Sequence, residues 1–488
     1  MTNMNGTVEQ QHVDALIGIV GSGNCLSAGG DMTGYTVDYR GIFAGAALAV
    51  VRPANTAEVA AVVRYCARHG IPIVPQGGNT SLLGGAVPDG SGKAIVLSLV
   101  RMKTIHEVDP QNNTMTLDAG VTLHAVREAA EAAGRLFPLR IGSEGSCQIG
   151  GNISTNAGGT AVLRYGNMRE LVLGLEVVLP DGEVWNGLRA LRKDNTGYDL
   201  KHWFISAEGT LGIITRAVIK LFPWPAARAV AFAAVADPGQ ALKLLDLCKQ
   251  KADTCLTAFE LISAPALALS LDALGEDAPV SGDHPWYVLI ELSSGQGQAQ
   301  LDAMLLDTLE GAIEQALVMD AAVAANQAQA ERMWLIREEI SDAQTRTGGS
   351  VRCDISVPLS RIPEFVQAAT EDVLREAPGA RMVVYGHMGD GNVHFNPLRP
   401  ESTSAADFLA SHGAAITRLV DGRAAQLNGS ISAEHGIGIA KRDELLHVKS
   451  RVELQLAWAL KRALDPRNLM NPGKVLPPVG SLADAGTP

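Results

Sequence analysis

A chain of 488 residues that is 47% hydrophobic and 19% charged has room for two to four domains with sizeable cores, which excludes long disorder and a small disulfide-stapled scaffold. Its 40 Lys+Arg against 52 Asp+Glu leave a net charge of −12, a poor match to a phosphate backbone, so no nucleic acid partner is expected. Cys25, Cys66, Cys147, Cys248, Cys255 and Cys353 form no C-x-x-C pair, which removes zinc-finger and thioredoxin readings and points to reduced thiols in a cytoplasmic protein.

No Lys or Arg precedes Arg40, so neither a positively charged export signal nor an Arg-rich transit peptide is expected. The longest largely apolar run, 41–51, has 11 residues where a bilayer needs about 20; no transmembrane segment is expected, and membrane contact could only be peripheral. Gly21 and Gly23 supply the first two glycines of a dinucleotide fingerprint, but Leu26 stands where the third is needed and Gly29-Gly30-Asp31 does not read as a helix start. Residues 54–70 place Val59, Val62, Val63 and Cys66 on one helical face, with Asn55 or Thr56 as cap and Gly70 as stop. A short strand over 71–74 then feeds a glycine-rich loop, Pro75 to Gly85. Two further loops, 141–160 and 206–215, are separated from it and from each other by strand-like segments at 94–99, 114–117 and 171–179. Residues 1–224 thus read as one α+β unit. From 225 to 427, strands such as 286–292 alternate with helical patterns such as 299–318 and 361–376, which reads as a second domain. Residues 428–488 hold an amphipathic helix and the Asn471-Pro472-Gly473-Lys474 turn.

The first loop sets Gly77-Gly78 and Gly84-Gly85 around Asn79, Thr80 and Ser81. Successive N–H groups with no Cβ in the way can wrap an anion, and the hydroxyls add donors, so a pyrophosphate suits it. The second loop, with Gly150-Gly151-Asn152 and Asn156-Ala157-Gly158-Gly159, lets a chain lie flat against a ring while small polar groups bond its edge. One such loop is more often an ordinary surface feature; two together make that reading weaker.

The motifs PQGGNTSLLGG (75–85), IGGNISTNAGG (149–159), RYGN (164–167), DNTGYDL (194–200), SAEGTLG (206–212), GHMGDGNVHFN (386–396), SAEHGIG (432–438) and NPGK (471–474) span nearly the whole chain. This set resembles the FAD-dependent oxidoreductases of the vanillyl-alcohol oxidase/p-cresol methylhydroxylase type, in the branch of D-2-hydroxyglutarate, D-lactate and glycolate dehydrogenases. The resemblance implies an α+β fold: a two-part FAD-binding domain of the vanillyl-alcohol oxidase type, formed by 1–224 and a returning segment 428–488, plus an α+β substrate (cap) domain over 225–427. It places the flavin diphosphate on Pro75, Gly77, Gly78, Asn79, Thr80, Ser81 and Gly84. It assigns the nucleotide and ring to Gly150, Gly151, Asn152, Thr155, Asn156 and Gly159, with Glu208, Gly209, Gly212, Ile214 and Asn471 completing the site. Relatives that tether flavin covalently often carry histidine after the paired glycines, where Asn79 stands here, so non-covalent FAD is expected.

In 385–396 the dipeptide Asp390-Gly391 is a preferred two-residue hairpin turn. Centred there, it pairs 389 with 392, 388 with 393 and 387 with 394, putting His387 directly opposite His394, with Asn396 on the same face. Spacing alone leaves a divalent-ion site and an ordinary core or solvated pair both open. The resemblance implies that His387, His394 and Glu434 bind a divalent metal, zinc first, with manganese, cobalt or iron also accepted by such donors. It makes His435 the base.

Arginine's planar fork suits carboxylates. Arg337 matches the arginine that grips substrate in D-2-hydroxyglutarate dehydrogenases, Ser341 stands one turn later, and Arg352 falls where many relatives have lysine. With Asn396 these are the expected substrate residues. The implied reaction is oxidation of D-2-hydroxyglutarate to 2-oxoglutarate by hydride transfer to flavin N5, with an electron-transfer flavoprotein, a quinone or a cytochrome as electron acceptor. Alternatives are D-lactate, D-malate or glycolate as substrate, an oxygen-using oxidase, and a non-catalytic FAD-binding electron-transfer subunit. Related enzymes are often homodimers, so a homodimer is the expectation by analogy.

Overall fold

The helix read over 54–70 forms at Thr56–His69. The Asn55 side chain accepts from the Glu58 N–H at 3.0 Å, Gly70 closes the helix at φ 70, and Val59, Val62, Val63 and Cys66 are buried. A cap of this kind contributes about 1 kcal/mol; each fully buried valine adds roughly 1.5–3 kcal/mol, so the packing of this face outweighs the cap. The strand that follows runs Ile73–Gln76, two residues later than read. Pro75 and Gln76 belong to it because Gln76 points inward, its amide donating to the carbonyls of Tyr35 at 2.8 Å and Ala86 at 2.9 Å.

A computed structural model describes residues 2–27 and 29–484. The backbone divides into two units, Met1–Ala157 with Asn167–Pro223 and Glu434–Pro488, and Gly158–Gly166 with Trp224–Ala433. The sequence placed its edges at 224/225 and 427/428. Residues 158–166 join the second unit because Arg164 donates there to the Ser293 carbonyl, to Ser293 Oγ at 2.6 Å and to Thr257 Oγ1 at 3.3 Å.

In the first unit β1 (Cys25–Leu26), β2 (Ala49–Val51), β3 (Ile73–Gln76) and β4 (Ile95–Ser98) form a sheet ordered β1-β2-β4-β3, with β2, β4 and β3 parallel. Next come β5 (Ile105–Asp109), β6 (Thr114–Asp118), β7 (Arg135–Leu136), β8 (Val172–Val178), β9 (Val184–Gly187), β10 (Ile213–Lys220) and β11 (Phe222–Pro223). Five of them make an antiparallel sheet ordered β5-β6-β10-β8-β9, while β7 pairs with β11. One expectation is overturned: Gly29–Thr36 is a helix. Its last carbonyls, which a helix cannot satisfy internally, are taken by side chains from the end of β3 and the loop after it: Gln76 bonds Tyr35, and Asn79 bonds Gly34 at 3.1 Å and Val37 at 2.8 Å. Tertiary docking thus outweighs weak local propensity. Gly21 and Gly23 precede β1 rather than follow a strand, so they do not make a dinucleotide fingerprint.

The second unit is built on one antiparallel sheet of β12 (Ala227–Val235), β13 (Leu256–Ser263), β14 (Trp286–Ser294), β15 (Asp320–Val323), β16 (Cys353–Ser356), β17 (Arg381–His387) and β18 (Asn392–Leu398), ordered β15-β12-β14-β13-β17-β18-β16. Helices Pro238–Ala252, Gln298–Glu314, Ile362–Glu376 and Ala405–Gln426 pack on one face, through residues such as Leu244, Leu305, Phe365 and Ile416. Ala264–Leu274 and Gln327–Thr347 cover the other, through Leu267, Trp334 and Ile340. With both faces covered, its strands read as near-continuous apolar runs, so a polar side chain within one of them is conspicuous.

Candidate active site

In the first unit the glycine loops are held by close backbone approach. A Cβ on Gly78 would lie 2.0 Å from the Ser146 carbonyl oxygen, one on Gly150 2.8 Å from Ala119 Cβ, and one on Gly209, at φ 71, 3.0 Å from Pro75. Gly212 is equally tight against Val177 on β8, at 2.9 Å, and Ile214 is buried within β10. Gly77 faces the Gln148 side chain, whose Oε1 lies 3.5 Å from where a Cβ would be. Asn79, Asn156 and Asn471 adopt left-handed backbone at φ 55, 53 and 41, and Glu208 at φ 47. Thr155 Oγ1 donates to the Gly151 carbonyl at 3.1 Å, and Asn156 Oδ1 accepts from the Arg169 N–H at 2.9 Å. Asn152 is buried beside Cys147. Thr80, Ser81 and Gly84 complete the first loop, and Gly159 alone of the expected flavin residues belongs to the second unit.

The loops fit FAD. Asn79 Oδ1, Gln148 Oε1 and Asn471 Oδ1 are buried with no hydrogen-bond partner, and orphaned acceptors of this kind are costly unless a ligand donates to them. Gln148 was not singled out in the sequence; an amide directly before Ile149-Gly150-Gly151 was the signal.

The returning segment packs onto these same loops. Glu208 accepts from the backbone N–H groups of Ile437 at 2.7 Å and Gly438 at 2.9 Å, so its carboxylate anchors the SAEHGIG turn. Burial pushes its pKa up, against the pull of those two donors. Ile439 N–H donates to the Leu83 carbonyl at 2.9 Å, and Asn471 Nδ2 bridges the carbonyls of Gly85 and Glu208, both at 2.8 Å. Lys461, on helix Arg451–Leu464, is buried and donates to Asp465 at 2.6 Å, the Thr210 carbonyl at 2.7 Å and the Met470 carbonyl at 2.9 Å. Glu434 and His435 open this segment, with His435 Nε2 3.9 Å from the Glu434 carboxylate.

In the second unit the hairpin register differs from expectation. Tyr385, not His387, lies opposite His394, and four residues, 388–391, connect the strands. A two-residue type I′ turn needs positive φ at both central residues; Gly391 has it, at φ 92, and Asp390 does not. Asp390 instead accepts from the Asn392 N–H at 3.1 Å. The shift is two residues, so the histidines keep a common face, with ring centroids 5.7 Å apart.

Each histidine is backed by a buried carboxylate that sequence reasoning missed. His387 Nδ1 lies 2.8 Å from Glu260 Oε1, and His394 Nδ1 lies 3.6 Å from Asp354 Oδ1. Asp354 and His394 offer ligand atoms within 4.8 Å of one another, as do Glu434 and His435; of the three expected ligands, His387 is not among these residues. The Ala433 N–H donates to the Asp354 carbonyl at 3.3 Å, and the next peptide bond leads to Glu434. Burial alone would raise the Glu260 pKa, but the charges and hydrogen bonds of His387 and Arg337 outweigh it and hold the carboxyl at about 2. The signal for both acids was a lone carboxylate in a strand-like run, LTAFELIS and CDIS.

Arg337, on helix Gln327–Thr347, is buried. Its Nε donates to Glu260 Oε2 at 2.9 Å, and its guanidinium stacks 4.7 Å over the Tyr385 ring. Its Nη2 lies 2.8 Å from the same oxygen, so two nitrogens of the guanidinium face one carboxylate oxygen. Arg352 donates to the Ser341 carbonyl at 3.2 Å and to Thr345 Oγ1 at 2.7 Å, so Ser341 and Arg352 do come together. Asn396 lies in a buried network: its Oδ1 accepts from the Cys353 N–H at 3.0 Å and its Nδ2 donates to Gln344 at 3.1 Å, with Tyr385 joining at 3.3 Å.

Residues 47–187 match the FAD binding domain family and residues 224–475 match the family of FAD linked oxidases, C-terminal domain. The chain belongs to the FAD-linked oxidase family. Its fold is shared with p-cresol methylhydroxylase, solved with substrate bound, at a TM-score of 0.76 and 17% identity, covering 96% of each chain. Among named relatives, the mitochondrial D-2-hydroxyglutarate dehydrogenase of Bos taurus is 40% identical over 442 residues, 90% of this chain and 79% of that protein. The D-2-hydroxyglutarate dehydrogenase of Xanthomonas citri pv. viticola is 40% identical over 429 residues, 88% of this chain and 89% of that protein. Among the described residues no helix is long and apolar enough to cross a membrane.

Proposed function

We propose that this chain is a FAD- and divalent-metal-dependent dehydrogenase that oxidises D-2-hydroxyglutarate to 2-oxoglutarate. The observation that carries this reading is the polar face of the seven-stranded sheet: two histidines side by side, each backed by a buried carboxylate, next to a buried arginine paired with one of those carboxylates. A purely structural sheet has no need of these groups, and the similarity to dehydrogenases of that name supports the substrate.

FAD, when bound, would supply the hydride acceptor. The loops 75–85, 146–156 and 206–212 would hold it through backbone N–H groups and the orphaned amides of Asn79, Gln148 and Asn471. Asn79 is tied to the Gly34 and Val37 carbonyls and carries no nucleophile, which supports a non-covalent cofactor. His387, His394 and Glu434 would hold the metal, whose Lewis acidity would act on the C2 hydroxyl; nitrogen and carboxylate donors suit zinc first, with manganese, cobalt or iron accepted. His435 would take the hydroxyl proton. Arg337 and Arg352 would fix the substrate's carboxylates, the positioning part of the rate. Gly78, Gly150 and Gly209 serve by what they lack, since a side chain there would collide with Ser146, Ala119 or Pro75 and push the loops apart. We further propose an electron-transfer flavoprotein, a quinone or a cytochrome as electron acceptor, a homodimer, and a cytoplasmic location.

Anaerobic bleaching of the purified flavoprotein with D-2-hydroxyglutarate, D-malate, D-lactate and glycolate, each before and after chelation, tests the reading. Fastest bleaching by the five-carbon dicarboxylate, lost on chelation and restored by zinc or manganese, is expected. Preference for D-lactate or glycolate would overturn the substrate, and bleaching unaffected by chelation would overturn the metal. No bleaching by any of them would leave a passive FAD carrier.

A further inference from the structure

Glu260 is 1% exposed and lies in β13 among Leu256, Phe259, Leu261 and Ile262, where an unpaired carboxylate would be very costly. Its two oxygens are divided between two partners from different elements. Oε2 takes Arg337 from helix Gln327–Thr347, at 2.9 Å to Nε. Oε1 takes Nδ1 of His387, at 2.8 Å, and β13 and β17 pair in a register that puts Glu260 directly opposite His387. An ionised carboxylate only accepts hydrogen bonds, so a bond to Glu260 requires the proton on Nδ1 and leaves the lone pair of His387 on Nε2. The same carboxylate fixes the direction of the Arg337 fork, which Tyr385 supports from below at 4.7 Å.

We propose that Glu260 is a positioning residue that sets two functions at once: the tautomer and aim of His387 as a metal ligand through Nε2, and the aim of Arg337 at a carboxylate of the substrate. This inference deepens the dehydrogenase reading and rests on it. It follows from chemistry that metal-bound histidines use generally, a carboxylate on the ring nitrogen away from the ion, here shared with an arginine.

The test is Glu260→Gln, which keeps shape and one acceptor but cannot accept from both N–H donors. Zinc affinity, read by competition with a chromophoric chelator on the FAD-loaded protein, should fall by about 10–100-fold. KM for D-2-hydroxyglutarate should rise as well, while FAD content and the flavin spectrum stay as in the wild type. Glu260→Asp keeps the charge but draws it back by one methylene, and should fall between the two; it carries the test alone if Glu260→Gln does not accumulate. Wild-type zinc affinity and KM in these variants would overturn the proposal, as would losses of FAD, kcat and folding in parallel, which mark a packing role. A wild-type protein that binds no zinc, manganese, cobalt or iron would instead sink the metal reading and with it the His387 half, leaving KM to judge the Arg337 half.

Discussion

The two units build recognition from opposite materials. The nucleotide loops of the first depend on backbone: glycines with no room for a Cβ, and asparagines held at positive φ. The polar face of the second depends on charged side chains paired in an apolar setting, with Glu260, Arg337, His387, His394 and Asp354 all buried. Shape in the first is specified by what is missing, and geometry in the second by what is paired. The first should therefore fail by steric insertion and the second by loss of a partner.

The largest effect should come from Glu260→Ala, which strands the buried Arg337 guanidinium and is expected to cost about 3–5 kcal/mol, read as a lower denaturation midpoint. Gly78→Ala should cost about 1–3 kcal/mol by overpacking against the Ser146 carbonyl, appearing as a fall in FAD content of the purified protein. Retention of full FAD occupancy would break the contrast on the backbone side. Glu208→Gln sharpens it: this carboxylate serves backbone N–H groups rather than a buried cation, and burial already favours its neutral form. About 1 kcal/mol or less is expected, and a loss as large as that of Glu260→Ala would erase the distinction.

The last effect is a matter of pH. Burial pushes the thiols of Cys66 and Cys248 up to about 12 and that of Cys25 to about 11, from an ordinary 9.0. The folded chain keeps protons that the unfolded chain releases near pH 9, so this contribution is complete below pH 9 and is lost as pH rises through 11 to 12. The loss begins at about 0.4 kcal/mol per thiol at pH 9, measurable by denaturant titration at two alkaline pH values.

Features written in contiguous residues could be read from the sequence. Asn55 and Gly70 bound their helix as expected, and the first two glycine loops fall within residues 47–187, which match the FAD binding domain family. The common face of His387 and His394 was readable because a strand's period of two survives a two-residue shift; the register was not, because only Gly391 takes positive φ. Glu260 could not be assigned a purpose, since its partners lie 77 and 127 residues away and only the sheet brings them together. Gly29–Thr36 escaped for the same reason: the side chains that cap it lie on a loop more than 40 residues later.

The attachment of 158–166 to the second unit has a consequence for synthesis. That short segment leaves the ribosome long before Thr257 and Ser293, the residues its Arg164 bonds. The first unit waits in turn for Asn471, whose amide bridges Gly85 and Glu208. The second unit cannot close before Ser293 has been made, nor the first before Asn471, so the nascent protein carries two unfinished cores at once, a state in which apolar surface stays exposed.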